Sequence, residues 1–184
     1  MLRIFLHREQ REIGVRVKRA ITTLLPAHRV GRVRHHVGAV AITCYFNHWP
    51  AVFPQHGPGR KHRRRIELEG WQREIATRHP FQFLRGLIES DGCRHRRVVR
   101  GRDYPAYSFK NHSEDILGLF DWACDLLEIR YRRASMTIIS IARRADVVRL
   151  DALMAHETVR APAPATPSAA DGSASRSLRV STIS

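Results

Sequence analysis

Asp91 is the residue whose position asks for chemistry. It closes the stretch PFQFLRGLIESDG, Pro80 to Gly92, which is punctuated as a helix by Pro at the first helical position and Gly just past the last periodic residue. Phe81, Leu84, Leu87 and Ile88 recur at helical spacing and share one face. Gly86 and Ser90 lie four apart, and two such small side chains let another helix come close. A carboxylate at the C-terminal end of a helix meets the negative end of the macrodipole. Asp91 therefore gains nothing for its own helix, and a bound cation would account for it. An ordinary amphipathic helix with a C-cap glycine accounts for the rest of the stretch.

The elements that must position this helix follow from local patterning. After Gly92, residues 93–99 and 104–110 read as a hairpin around a Gly101-Arg102-Asp103 turn. Ser113 is a good N-cap, with Glu114 and Asp115 in the first turn, for a helix running to Glu128. A second hairpin is predicted over 129–133 and 136–142, then a helix over 145–156. Upstream, 2–6 reads as a strand, 8–25 as a helix ended by Pro26, 30–35 and 39–45 as a hairpin, and 49–53 as a short helix. Residues 55–65 are a basic loop, and 66–78 a helix offering Ile66, Leu68, Trp71 and Ile75 for packing. The spacing of His48, His56 and His62 fits no metal template.

Leu84, Gly86, Leu87, Ile88, Asp91 and Gly92 resemble the motif of the LAGLIDADG homing endonucleases. Glu89 and Ser90 stand where that family more often has Asp and Ala, and Arg85 replaces the first Ala. The order helix, strand, strand, helix, strand, strand, helix from Pro80 onward is also that family's order. The resemblance implies an α+β fold of two αββαββα-type units with saddle-shaped, mixed or antiparallel sheets. It covers about residues 1–156 and divides the chain into 1–54, an incomplete first repeat (β-α-β-β-α), 55–79, a basic linker and connecting helix, and 80–156, a complete unit. Residues 157–184, rich in Ala, Pro and Ser, are expected to be a disordered tail.

The resemblance further implies Mg²⁺-dependent hydrolysis of both strands of DNA, with the 80–92 helix packing against a second one. Leu84, Gly86, Leu87, Ile88, Ser90 and Gly92 would form that contact, and Asp91 would be the catalytic, metal-holding acid. Hard Mg²⁺ takes oxygen ligands from one or two carboxylates, waters and phosphate. No acid of the first half occupies a matching motif, so Asp91 lacks its partner within residues 1–79. Either a longer protein begins upstream of Met1, or two chains pair as a homodimer through the 80–92 helix, or the site no longer cuts.

In that family the sheet face away from the helices saddles the duplex. Alternation puts Tyr107, Phe109, Ile129, Tyr131, Ile139 and Ile141 toward the helices. Ser108, Lys110, Arg130, Arg132 and Ser140 would then face DNA. Arg94 and Arg96, which share a face, are taken as further DNA-side candidates.

Composition agrees with a polyanion partner. Lys and Arg number 32 against 17 Asp and Glu, a formal charge of +15 over 184 residues, and such an excess steers association with nucleic acid. Arginine dominates the basic residues, a skew that a GC-rich genome also produces. No apolar run approaches the roughly 18 residues of a membrane span, and the opening residues are too short an apolar stretch for a secretory signal. Cys44, Cys93 and Cys124 are scattered and odd in number, as reduced thiols of a cytoplasmic, nucleoid-associated protein would be. Two further readings compete: a non-cutting DNA-binding protein or transcription regulator on the same fold, and a structural or RNA-binding protein whose charge reflects genomic bias.

Overall fold

The computed structural model describes residues 1–35, 38–55 and 64–159, with side chains to residue 155. The expected tail beyond 159, most of the basic loop, and His56 and His62 lie outside the described residues. Six helices and seven strands are present among the described residues, in the order β1 (Leu2–His7), α1 (Arg11–Leu24), β2 (Val30–Arg34), β3 (Ala39–Cys44), α2 (Trp49–Val52), α3 (Gly70–Arg78), α4 (Pro80–Asp91), β4 (Gly92–Val99), β5 (Arg102–Lys110), α5 (Glu114–Leu126), β6 (Arg132–Ser135), β7 (Ile138–Ile141) and α6 (Arg144–Val159). The fold is α+β, with two antiparallel sheets ordered β1-β3-β2 and β4-β5-β7-β6.

The two sheets share a wiring. In each, the strand before a helix (β1, β5) pairs with the second strand of the following hairpin (β3, β7), and the hairpin's first strand (β2, β6) takes the edge. On the helix side, Ile4–Ile42–Arg32 is one row of the first sheet and Phe109–Ile139–Arg133 one row of the second.

Each sheet buries one face under helices. Over the second, Leu84, Ile88, Phe109, Leu117, Phe120, Ile139, Ile141 and Leu150 form a core, with Phe109 and Phe120 stacked at 4.4 Å. Each such large side chain contributes about 1.5–3 kcal/mol by leaving water. Over the first, Ile21, Ile42, Cys44 and Trp49 are buried, and the Trp49 indole N–H donates to the Cys44 carbonyl at 3.1 Å. Arg16 of α1 donates to Glu89 of α4, which also accepts from Arg85, so two of the three residues that depart from the motif, Arg85 and Glu89, join an ion-paired cluster tying α1 to α4.

Several boundaries differ from the sequence reading, each for a local reason. The β4–β5 turn is Arg100-Gly101, both at positive φ (51° and 73°), with Val99 opposite Arg102. This two-residue geometry suits the right-handed twist of a hairpin, and it leaves Arg102 and Asp103 inside β5. Helix α3 starts at Gly70 because Glu69 and Gln72 form a capping box there. Gln72 and Ala76 then turn inward, while Trp71 and Ile75, expected to pack, are exposed. Strand β6 begins at Arg132, so Arg130 precedes it, and α6 runs on to Val159.

Gly92 makes the step from α4 directly into β4. A Cβ there would stand 2.6 Å from the Ile88 carbonyl oxygen and 2.7 Å from its Cα. At Gly86 an added Cβ meets nothing within 4 Å. Gly92→Ala should therefore destabilise the fold by about 1–3 kcal/mol. Gly86→Ala should stabilise it by about 0.5–1 kcal/mol through helix propensity. Urea denaturation of the two variants against wild type checks both signs.

Candidate nucleic-acid interface

The phase of β4 decides which of its side chains share a face with the rest of the sheet. Gly92 stands opposite Phe109, a core residue, and Arg94 stands opposite Tyr107. Even-numbered residues of β4 thus point to the helix side, and Cys93, His95, Arg97 and Val99 to the outer face, the one turned away from α5 and α6. Cys93, Ser108, Ser140 and Arg132 line up as one outer row across all four strands. Lys110 lies in the next row beside Ile138, and Tyr104 with Arg97 extends the face toward the hairpin tip.

Ser108, Lys110, Arg132 and Ser140 thus lie together on the outer face as expected, and Tyr107, Phe109, Ile129, Ile139 and Ile141 are buried on the other. Arg130 is exposed in the extended segment before β6. Arg94 and Arg96 are corrections: they share a face, but it is the helix side. Arg94 makes a bidentate ion pair with Asp151 of α6, both bonds 2.7 Å, and Tyr107 donates its hydroxyl to the same carboxylate at 2.6 Å. Arg96 sits 3.6 Å from Asp103. The apolar pattern of residues 93–97 is ambiguous by itself, and the pairing of Arg94 with Tyr107 sets its phase. Arg97, Arg102 and His95 are the residues missed. A two-residue turn at Arg100-Gly101 pairs 99 with 102, and counting back from that pair would have found them.

Charge sorts by face. Of the helix-side arginines, Arg94 has Asp151, Arg96 has Asp103, and Arg133 has Asp121 at 2.7 Å and Glu114 at 2.9 Å. The outer-face cations Arg97, Arg102, Lys110 and Arg132 make no ion pair among the described residues, and no acid of these strands shares their face. Such an uncompensated set attracts polyanions, and four cations over one sheet face suit repeated phosphates.

Asp91 lies exposed at the end of α4. The Asn111 side-chain amide donates to its Oδ2 at 3.0 Å, and the Asn111 Oδ1 accepts from the Ser113 backbone N–H at 2.9 Å. Ser113 in turn caps α5 by accepting from Ile116 N–H. Asn111, itself buried, is a partner the sequence reading did not foresee, and its amide dipole offsets part of the unfavourable helix-end position. Asn111 thus sets an amide beside the Asp91 carboxylate, and no group of three His, Cys, Asp or Glu suited to a metal occurs among the described residues.

In the motif, Leu84 and Ile88 are core residues and Leu87 packs against them. Ser90 is exposed and donates its hydroxyl to the Leu87 carbonyl at 2.8 Å. None of the three cysteines is in a disulfide; Cys44 and Cys124 are buried. Among the described residues no helix is long and apolar enough to cross a membrane.

No family model matches this sequence, and no curated protein does. The likeness to the LAGLIDADG pattern rests on residues 84–92 and the order of elements.

The Arg94–Asp151–Tyr107 cluster fixes the outer face by clamping β4 and β5 to α6. The Arg94 guanidinium holds the Asp151 carboxyl below its ordinary range, helped by Tyr107, while burial and then Asp151 push the Tyr107 hydroxyl up. A depressed carboxylate pKa contributes stability that is present above the unfolded value, near pH ~4, and is lost as pH falls through the folded one. Asp151→Asn should lower stability at neutral pH and flatten its pH dependence below pH ~4. Urea midpoints of wild type and variant between acid and neutral pH measure this.

Proposed function

We propose that this chain is a LAGLIDADG-type DNA-binding protein that holds double-stranded DNA against the outer face of the β4-β5-β7-β6 sheet. The observation that carries the proposal is the sorting of charge: helix-side arginines are matched by acids, and the cations of the outer face are not. Exposed Tyr104 and the hydroxyls of Ser108 and Ser140 add groups able to touch sugar, phosphate or base edges among those cations. Binding should weaken steeply with salt, log K falling by about 0.9 per phosphate neutralised against log salt. Lys110→Ala with Arg132→Ala should cost at least tenfold in duplex affinity and shallow the salt slope. Arg96→Ala, on the other face, should change affinity less than twofold. Fluorescence anisotropy with labelled duplex over a salt series measures all of these, and equal losses from both faces would remove the proposal.

A second reading, Mg²⁺-dependent double-strand cleavage as a homing endonuclease, is favoured by one feature of α4. The Gly86 side of the helix is open and lies on the same helix as exposed Asp91. A second such helix seated there, from another copy of the chain, would bring a second Asp91 and complete a pair of carboxylates for the metal. On this reading the partner is a homodimer, and the chain alone binds DNA without cutting. Asp91→Asn should leave duplex affinity within threefold and abolish any Mg²⁺-dependent cleavage; cleavage at the wild-type rate by that variant would dismiss the nuclease reading while leaving DNA binding intact.

A further inference from the structure

A recess of the first half shares none of the outer-face residues just described. It opens between α1 and the β1-β3-β2 sheet, with a volume of about 1170 Å³. This is slightly above the roughly 300–1,000 Å³ of small-molecule sites. Five cations line it: Arg8 and Arg11 at the entry to α1, Lys18 further along that helix, and Arg32 and Arg34 on edge strand β2. The one acid of the lining is Glu9, whose carboxylate lies 3.7 Å from His7. None of the five cations makes an ion pair or side-chain hydrogen bond among the described residues.

The shared wiring of the two sheets shows what is unusual here. Arg32 and Arg34 lie on the helix side of edge strand β2, as Arg133 does on edge strand β6. Above Arg133, helix α5 supplies Asp121 and Glu114. Above Arg32, helix α1 supplies Arg11 and Lys18. The same architectural place is neutralised internally in one half and loaded with like charge in the other. Like charges gathered round a recess repel one another, and a bound anion reverses the sign of that energy.

The floor of the recess is apolar. Val40 and Ile42 are buried there beside Leu6, and Val15, 59% exposed, forms the α1 wall. A purely inorganic anion has no use for that surface. We propose that this cleft binds a small organic polyphosphate of the nucleotide class. Its phosphates lie among Arg11, Lys18, Arg32 and Arg34, and its ring lies on Val15, Leu6 and Val40. Guanidinium groups suit this ligand because their planar fork meets phosphate oxygens two at a time.

The proposal stands independently of the DNA-binding reading, since it concerns the other sheet and other residues. The test is titration calorimetry on the full chain with ATP, inorganic tripolyphosphate and adenosine in metal-free buffer, with anisotropy on duplex DNA alongside. ATP should bind with one-to-one stoichiometry and at least fivefold more tightly than tripolyphosphate or adenosine. Arg32→Ser with Arg34→Ser, both at exposed positions, should weaken ATP at least tenfold and leave duplex affinity within threefold. Lys18→Gln, on the opposite wall, should weaken ATP about threefold or more, which checks the result by a variant that leaves β2 untouched. Lys110→Ala with Arg132→Ala should leave ATP affinity within twofold. Three outcomes would overturn the assignment: ATP affinity indifferent to Arg32, Arg34 and Lys18; tripolyphosphate binding as tightly as ATP; or duplex affinity falling with the Arg32/Arg34 pair, which would give the cleft to DNA.

Discussion

The close approach at Gly92 is the constraint on which the second half of the molecule depends. Because Gly92 has no Cβ to clash with the Ile88 carbonyl, the chain can leave α4 and enter β4 without a connecting loop. The strand therefore starts in a fixed phase, Gly92 against Phe109. From that single pairing follow the inward course of Arg94 to Asp151, the outward course of Cys93, His95 and Arg97, and the row running from Cys93 to Arg132. A period-two pattern has only two settings, and a shift of one residue exchanges the faces completely.

Electrostatics then separates structural from available charge. In the second sheet Arg94 and Arg133, turned toward the helices, meet acids from α6 and α5 and act as clamps between layers. Long cationic side chains on the outer face are left to solvent or to a partner. The cations of the described residues are thus not equivalent: Arg94, Arg96 and Arg133 are held by acids, while four lie unpaired on one sheet face and five line the cleft beside α1. Net charge alone speaks to association and not to where association occurs.

The shared wiring of the two sheets makes their differences informative. In both, the second strand of the hairpin (β3, β7) is interior, with residues on one face buried under a helix, and the hairpin's first strand (β2, β6) at the edge is more exposed. The second sheet carries β4 along the free side of β5, a strand for which the first sheet has no counterpart among the described residues. The halves are also joined by charge: Glu89, at a motif position, accepts from both Arg85 and Arg16. That cluster gives Arg85 and Glu89, two of the motif departures, a packing role that is separate from any at Asp91.

The sequence by itself determined the identity and order of nearly all elements, the helix at Pro80–Asp91, the glycine that ends it, and the inward residues of β5 and β7. These depend on local signals: a proline and a glycine at the helix ends, Ser113 as a cap, and alternation of apolar side chains within a strand. The tertiary structure decided what depends on contacts far apart in the chain. Trp71 and Ile75 are apolar at helical spacing, but the inward side of α3 is set by Gln72 reaching Val52 and Gln55. Asp91 reads as an unpartnered helix-end acid until Asn111, twenty residues on, is folded beside it. Arg94 and Arg97 are alike in type and neighbourhood, and only cross-strand register, a matter of which residue stands opposite which, assigns one to a salt bridge and the other to the outer face.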